Sequence, residues 1–468
     1  MPYLAISPVF TNDAITIGIL IIVLALIFHT EHLKSPFWTK FYKFVPGLLL
    51  AYFIPALLHW PLGLIAPHWY TDGLTGLLAQ HNLTLPSGLS YDGITNFLEE
   101  NGVAASEYKA TQGHSSLYYV ASRYLLPASL VFFCLGIDFA GIKKLGSKAI
   151  IMFLTATLGI ILGGPIALLL VSAIAPDVVG GNPDEIWRGF ATVAGSWIGG
   201  GANQTAMKEI YEVKDNLFGT MIVVDVVVAN IWMGFLLYGA NISDKIDRWL
   251  KADNSAIETL KKSVADYRAS ILEMPTTRTT FMLMAIGFGG VALSHWGADF
   301  LTPFMGGFKE TLNSLRLNSL MSHFFWLIVI STTFGMILSM TRFRKLEGIG
   351  SSRWGSIFIY ILVATIGMKM NLGEVFKNLG LFAVGIIWML VHVTLLLIVA
   401  KVIRAPFFFV AVGSQANVGG AASAPVVASA FSTSLAPVGV LMAVLGYALG
   451  TYGAIICATL MQIVSGAG

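Results

Sequence analysis

The stretch 191–210, ATVAGSWIGGGANQTAMKEI, sets Gly195, Gly199, Gly200 and Gly201 beside an asparagine, a glutamine and a lysine inside otherwise membrane-like sequence. Residues 411–430, AVGSQANVGGAASAPVVASA, repeat that mixture of small residues and amides and add a proline. The chain around them is 56% hydrophobic and 11% charged over 468 residues, with mean hydropathy +0.76. Soluble domains carry roughly 25% charged residues. Runs of about 20 apolar residues recur, the length that takes a helix through roughly 30 Å of hydrocarbon. The expected fold class is therefore an all-α polytopic membrane protein. A closed β-barrel would instead read as short alternating strands, and none stands out.

The net charge of +3 is small and dispersed, with no basic cluster that would suit nucleic acid. Cys134 and Cys457 both lie in apolar stretches and read as small hydrophobes rather than as a disulfide or metal site. The first apolar run lacks a basic leader and reads as an ordinary span.

Twelve segments qualify as candidate spans: 14–29, 45–65, 116–137, 149–175, 187–208, 217–239, 280–296, 324–340, 354–370, 379–402, 406–430 and 437–463. Polar stretches at 66–113 and 241–278 interrupt them, the second patterned as an amphipathic surface helix. Short basic loops face the cytoplasm. The groups are Lys34, Lys40 and Lys43; Lys143, Lys144 and Lys148; Arg342, Arg344, Lys345 and Arg353; and Lys401 with Arg404. Twelve crossings conflict with that rule, because the later basic groups would then fall outside. Residues 280–296, with Gly287, Gly289, Gly290 and His295, form the weakest candidate. Eleven or thirteen crossings fit better.

The halves echo each other. FFCLGIDFAGIKKLG at 132–146 and LVATIGMKMNLGEVFKNLG at 362–380 each precede one long apolar span and then one glycine–amide motif. Gly195 and Gly413 are 218 positions apart, and Gly234 and Gly453 are 219 apart. The charge pattern makes the halves inverted. The expected division is an N-terminal span and loop at 1–41, a first repeat at 42–241, a polar linker at 242–278, an extra span or re-entrant segment at 279–321, and a second repeat at 322–468.

Inverted repeats with glycine-interrupted spans in matching positions point to a transporter binding site. An unwound segment frees N–H and C=O groups, which hydrocarbon tolerates only around a cavity or ligand. Glycines also serve close helix packing, but the paired motifs, with amides at the same depth, favour a site. The expected solute-binding residues are Ser196, Gly200, Gly201, Asn203 and Gln204 from the first motif. Ser414, Gln415, Asn417, Gly419, Gly420 and Ser423 come from the second.

Asp225 stands in GTMIVVDVVVANIWMG, where a carboxylate costs about 2.5–3.5 kcal/mol even on lenient insertion scales. It must be protonated, paired, or facing water or an ion. It is the expected ion-coupling residue, with Asn203, Asn230, Gln415 and Asn417 as further ligands. Amide and hydroxyl oxygens suit a hard cation, which favours sodium over a proton; no other cofactor or metal is expected. Lys369 and Asp138 read as snorkelling or capping residues near span ends. His392 reads as a packing histidine, and Lys208 with Glu209 as a solvated exit at the cytoplasmic boundary. No HExxH, GxSxG, CxxC pair or phosphate loop occurs, so no enzyme activity is expected.

GSWIGGGANQTAMKE, VVDVVVANIWMG, TTFGMILS with RKLEG, and SQANVGGAASAPVVASAF with GVLMAVLGYALGTYG together resemble the YjcL-like family, domain of unknown function 819. The likeness runs from about residue 42 to 462. That family is grouped with cation–proton antiporters, bile-acid/sodium symporters and glutamate/sodium symporters. The resemblance implies a panel domain, a core with crossed discontinuous helices, elevator-type movement and a homodimer. The functional expectation is an ion-coupled secondary transporter of an amino acid, short peptide or carboxylate in a bacterial cytoplasmic membrane. A sodium/proton antiporter without organic substrate and a non-transporting scaffold or receptor are the alternatives. Lipid, solute and coupling cation are the expected partners.

Overall fold

The computed structural model describes residues 8–45, 47–86, 89, 91–137, 145–175, 182–253, 274–314, 318–370, 380–432 and 435–466. Asp138, Lys143, Lys144 and most of the 242–278 linker lie outside them. Contacts divide the chain into Met1–Arg123 with Tyr360–Lys377, and Tyr124–Ile359 with Asn378–Gly468. These boundaries do not follow the repeat limits read from the sequence.

In the first unit, α1 (Asp13–His32), α2 (Pro36–Phe44) and α3 (Gly47–His59) precede a small folded insert. The insert holds α4 (Gly73–Gln80), α5 (Tyr91–Glu100) and α6 (Ala105–Lys109) between two short antiparallel strands, His68–Tyr70 and Gln112–His114. Tyr70, Leu74, Leu77, Ile94, Leu98, Val103 and Tyr108 give it a core of its own. The polar loop of the sequence is therefore a folded insert. The Asp13 carboxylate accepts from Ser115 Oγ (2.6 Å) and Ser116 N–H (2.9 Å), which ties the start of α1 to the end of the insert.

The second unit holds most of α7 (Leu117–Leu135), followed by α8 (Ser147–Ile174), α9 (Pro183–Ile210), α10 (Asp215–Asn241) and α11 (Ser243–Leu250). Next come α12 (Thr277–Gly306), α13 (His323–Ser339) and the start of α14 (Ser351–Gly367). Last are α15 (Leu381–Ile403), α16 (Phe407–Val418), α17 (Gly420–Phe431) and α18 (Ala436–Val464). Among the described residues, seven helices are long and apolar enough to cross a bilayer, or nine if each of two bent pairs counts as one span. The segment expected to be weakest, α12, is one continuous helix of 30 residues. Its glycines do not break it. Gly287 lets the Phe132 ring approach, and Gly290 meets Val131 and Phe334. Ser294 and Ser331 share a hydrogen bond of 2.8 Å between α12 and α13.

Both glycine–amide motifs are interrupted, as expected, and each turns back at its break instead of continuing. In α9 the break is Gly200, at φ 76° and ψ −174°, a conformation that is nearly confined to glycine and costs a residue with a Cβ about 1–3 kcal/mol. Along one continuous helix Arg188 and Tyr211 would stand roughly 35 Å apart. Instead Arg188 Nη1 donates to the Tyr211 carbonyl at 3.1 Å, and the Trp187 and Tyr211 rings meet at 5.3 Å. Nearer the turn, a Cβ on Gly195 would lie 2.6 Å from the Asn203 carbonyl oxygen. The chain has reversed. The second motif does the same: Gly420 sits at φ 58°, and the Phe407 and Phe431 rings at the two ends are 6.0 Å apart. These are two helical hairpins, each folded back on itself at its break.

The hairpins approach from opposite ends of α8, which is about 42 Å long. At its N-terminal end Lys148 Nζ donates to the Arg404 carbonyl (3.2 Å), beside the base of the second hairpin. Gly413 then lies against the Met152–Phe153 backbone, and Thr157 Oγ1 donates to Asn417 at 2.8 Å near the tip. Further along, Gly163 and Gly164 receive the Trp388 ring, which meets Trp197 (5.0 Å) and Phe190 (6.2 Å) of the first hairpin. The two tips converge on α18. A Cβ on Gly446 would stand 2.7 Å from Ile198 O and 3.5 Å from Ala416 O, one carbonyl from each tip.

Candidate functional site

At the first tip Asp225, on α10, is 6% exposed and holds both arms of the hairpin. Its Oδ2 accepts from Ser196 Oγ (2.6 Å) and Gln204 Nε2 (3.0 Å), and its Oδ1 accepts from Trp197 Nε1 (2.7 Å). Ser196 and Trp197 precede the break and Gln204 follows it. Indole and amide nitrogens only donate, so of the three contacts only that to Ser196 is reversible. Asn203 closes the turn from within: its Nδ2 donates to Gly199 O (2.9 Å), and its Oδ1 accepts from Thr451 Oγ1 (2.6 Å) of α18.

The second tip repeats that device. Asn417 Nδ2 donates to Gly413 O (3.0 Å), four residues back, while its Oδ1 takes the Thr157 hydroxyl. Ser414 accepts from Trp232 Nε1 (2.8 Å) and lies 2.8 Å from His392 Nε2. His392 Nδ1 faces the Ala156 carbonyl at 3.1 Å. A carbonyl only accepts, so Nδ1 carries the hydrogen and Nε2 takes the Ser414 proton. His392 is a hydrogen-bonded packing residue, as its isolation in the sequence suggested. Across the break, Gln415 Nε2 donates to Ser423 Oγ at 2.6 Å. Gln415 Oε1 is buried and has no partner.

The structure thus brings Ser196, Asn203, Gln204 and Asp225 to one tip and Ser414, Gln415, Asn417, Gly419, Gly420 and Ser423 to the other. Gly200 and Gly201 are half-buried at the first turn, with Tyr447 the nearest group to Gly200. Asn230 is placed apart from Asp225 in its bonding: its Nδ2 donates to Val226 O on its own helix at 2.8 Å. Lys208 is not a solvated exit. It is 5% exposed and ion-paired to Asp215 (2.9 Å) and Glu209 (3.4 Å) at the base of the first hairpin. Lys369 lies over the Tyr118 ring at 4.0 Å, more specific than free snorkelling.

Sequence reasoning missed Trp197, Trp232, Thr157 and Thr451. Trp197 was visible inside its motif as the one large residue among glycines. The two threonines carry only the weak signal of a hydroxyl in an apolar run. Trp232 carries none, because its partner is on another helix. Among the described residues no three His, Cys, Asp or Glu side chains are disposed to hold a metal ion.

Residues 104–464 match the family described as protein of unknown function (DUF819). The chain is also similar to the uncharacterized membrane protein YjcL of Bacillus subtilis (strain 168), with 24% identity over 345 residues, covering 72% of this chain and 82% of that protein.

Proposed function

We propose a transport function for this chain, which belongs to the DUF819 family of proteins of unknown function. It is an ion-coupled secondary transporter of a small organic solute, with sodium as the favoured coupling ion, and not an enzyme. The observation that carries this reading is the pair of interrupted hairpins entering from opposite ends of α8 and meeting at Gly446. Irregular backbone at membrane depth is tolerated where it lines a cavity. Two such turns, one reachable from each side, supply the two gates that alternating access needs.

The halves then act as inverted repeats. With the basic loops in the cytoplasm, the first hairpin opens outward and the second inward. The hairpins with α8, α10, α15 and α18 form the moving core. It slides against α7, α12 and α13 across the Phe133–Tyr447 stack (4.4 Å) and the Thr333–Tyr452 hydrogen bond (2.7 Å). The working unit is a homodimer in a bacterial cytoplasmic membrane. The antiporter alternative needs Asp225 as a carrier, and its three donors argue against that role.

Sidedness is checked by labelling single cysteines, since Cys134 and Cys457 are buried and contribute little background. A membrane-impermeant maleimide should modify Glu212→Cys in intact cells and Ala430→Cys only after permeabilisation; both sites are exposed. Labelling of both from one side would mean that a motif crosses. Transport itself is tested in proteoliposomes, where an imposed sodium gradient should drive solute accumulation at least tenfold above protein-free vesicles. Solute accumulation under neither a sodium nor a proton gradient, by protein that retains its melting transition, would leave a scaffold or receptor.

A further inference from the structure

We infer that the second hairpin recognises a carboxylate whose neighbouring carbon carries a hydrogen-bond donor, amino or hydroxyl; the inference rests on the transport reading above. Two independent features meet at this turn. The first is the start of α17, a helix of 12 residues whose N-cap, Gly419, supplies no side-chain acceptor. The opening N–H groups of a helix have no partner within it, and their end of the helix carries roughly half a positive charge. A carboxylate is the matching ligand. No side chain can substitute for it from position 419, because a Cβ there would coincide with Ser423 Oγ and Gln415 Nε2.

The second feature is the Gln415 carboxamide. Only 2% of this residue is exposed, and its Nε2 is committed to Ser423 on the far side of the break. Its Oε1 accepts nothing. A buried acceptor left unmet costs about 1–3 kcal/mol, so the oxygen calls for a donor. Nε2 reaches Ser423 in the first turn of α17, so the carboxamide that carries Oε1 lies beside the opening of that helix. A carboxylate with an amino or hydroxyl group on the adjacent carbon spans the two with acceptor and donor in the right order.

The charge balance narrows the class further. Residues 195–204 and 413–423, which make up both turns, contain no Lys, Arg, Asp or Glu, and Asp225, which fastens the first from α10, is an acid. One helix end is worth about 0.3–1 kcal/mol to an anion. It suits a single carboxylate and gives no cationic side chain for a second one. Amino acids and 2-hydroxy acids share the required chemistry, and dicarboxylates without a donor do not.

The experiment is solute counterflow in proteoliposomes, with and without sodium, using four labelled probes: a mixture of the standard amino acids, lactate, propionate and succinate. Amino acids or lactate should exchange at least tenfold faster than propionate and succinate, and whichever is faster identifies the donor. Gln415→Leu should bring that ratio close to one. Gln415→Met, nearly isosteric, should do the same if the leucine variant does not fold. Faster exchange of succinate, equal exchange of propionate, or an unchanged ratio in a folded Gln415 variant overturns the inference and leaves transport standing. Absence of flux for every probe, from protein with an intact melting transition, overturns both.

Discussion

Gly450→Ala abolishes uptake and lowers the thermal unfolding midpoint in detergent; that is the expected result. A Cβ at this position would stand 2.5 Å from Gly199 Cα and 2.6 Å from Asn203 Nδ2. Neither neighbour is the free end of a flexible side chain. Gly199 is backbone at the turn, and Asn203 is held by both of its amide atoms. Relief requires α18 to move away from the first tip, and overpacking of this kind costs about 1–3 kcal/mol or more.

Gly200→Ala is the informative contrast. Its backbone, at positive φ with extended ψ, costs about 1–3 kcal/mol once a Cβ is present, but the nearest atom to that Cβ is Tyr447 Cε1 at 3.7 Å. It should melt at a higher temperature than Gly450→Ala and keep part of its activity. Gly200→Leu should melt near the alanine variant yet stop transport, because the larger side chain occupies the space between the tips. The measurements are unfolding midpoints and initial uptake rates on the same preparations. Wild-type transport by Gly450→Ala would mean that the first tip does not rest on α18 as described.

The interruption of both motifs was legible in the sequence, and the reversal was not. A glycine run announces that a helix stops. The arms on either side have the same apolar, small-residue pattern whether the chain continues or turns back. The reversal is decided by contacts such as Arg188 with Tyr211 and Phe407 with Phe431, which join residues far apart in the chain. The charge pattern held an indirect clue, since twelve crossings could not put all the basic loops on one side. The conflict was assigned to α12, whose glycines face Phe132 and Val131 and relieve packing without breaking the helix. The insert after α3 was read as a polar loop because its core residues, Tyr70, Leu74 and Ile94 among them, are scattered among turn residues and show no long period. Of the site residues, the amides were found by type and depth. Their roles were not, because whether an amide is committed, as in Asn203, or left with a free oxygen, as in Gln415, depends on its neighbours in space.

Asp225 is where sequence and geometry diverge most, and two substitutions separate the readings. As an ion carrier it would lose coupling when changed to Asn, with little effect on stability. As the fastening of the first hairpin it behaves otherwise. Asp225→Ala strands three buried donors, each costing about 1–3 kcal/mol when unmet, so protein yield and activity should fall together. Asp225→Asn retains an oxygen for Trp197 and can take the Ser196 hydroxyl in the opposite sense, but its NH2 meets the Gln204 NH2. One contact is lost, for about 1–2 kcal/mol. The folded fraction of Asp225→Asn should therefore still accumulate solute in response to sodium, at a rate that follows its lower stability. The decisive readout is sodium-dependent accumulation per folded molecule, with the melting midpoint measured alongside. An Asp225→Asn protein that melts with the wild type but exchanges solute only downhill would make Asp225 the coupling residue. The Ser196, Trp197 and Gln204 contacts would then belong to one state of the transport cycle, to be exchanged for the ion in another.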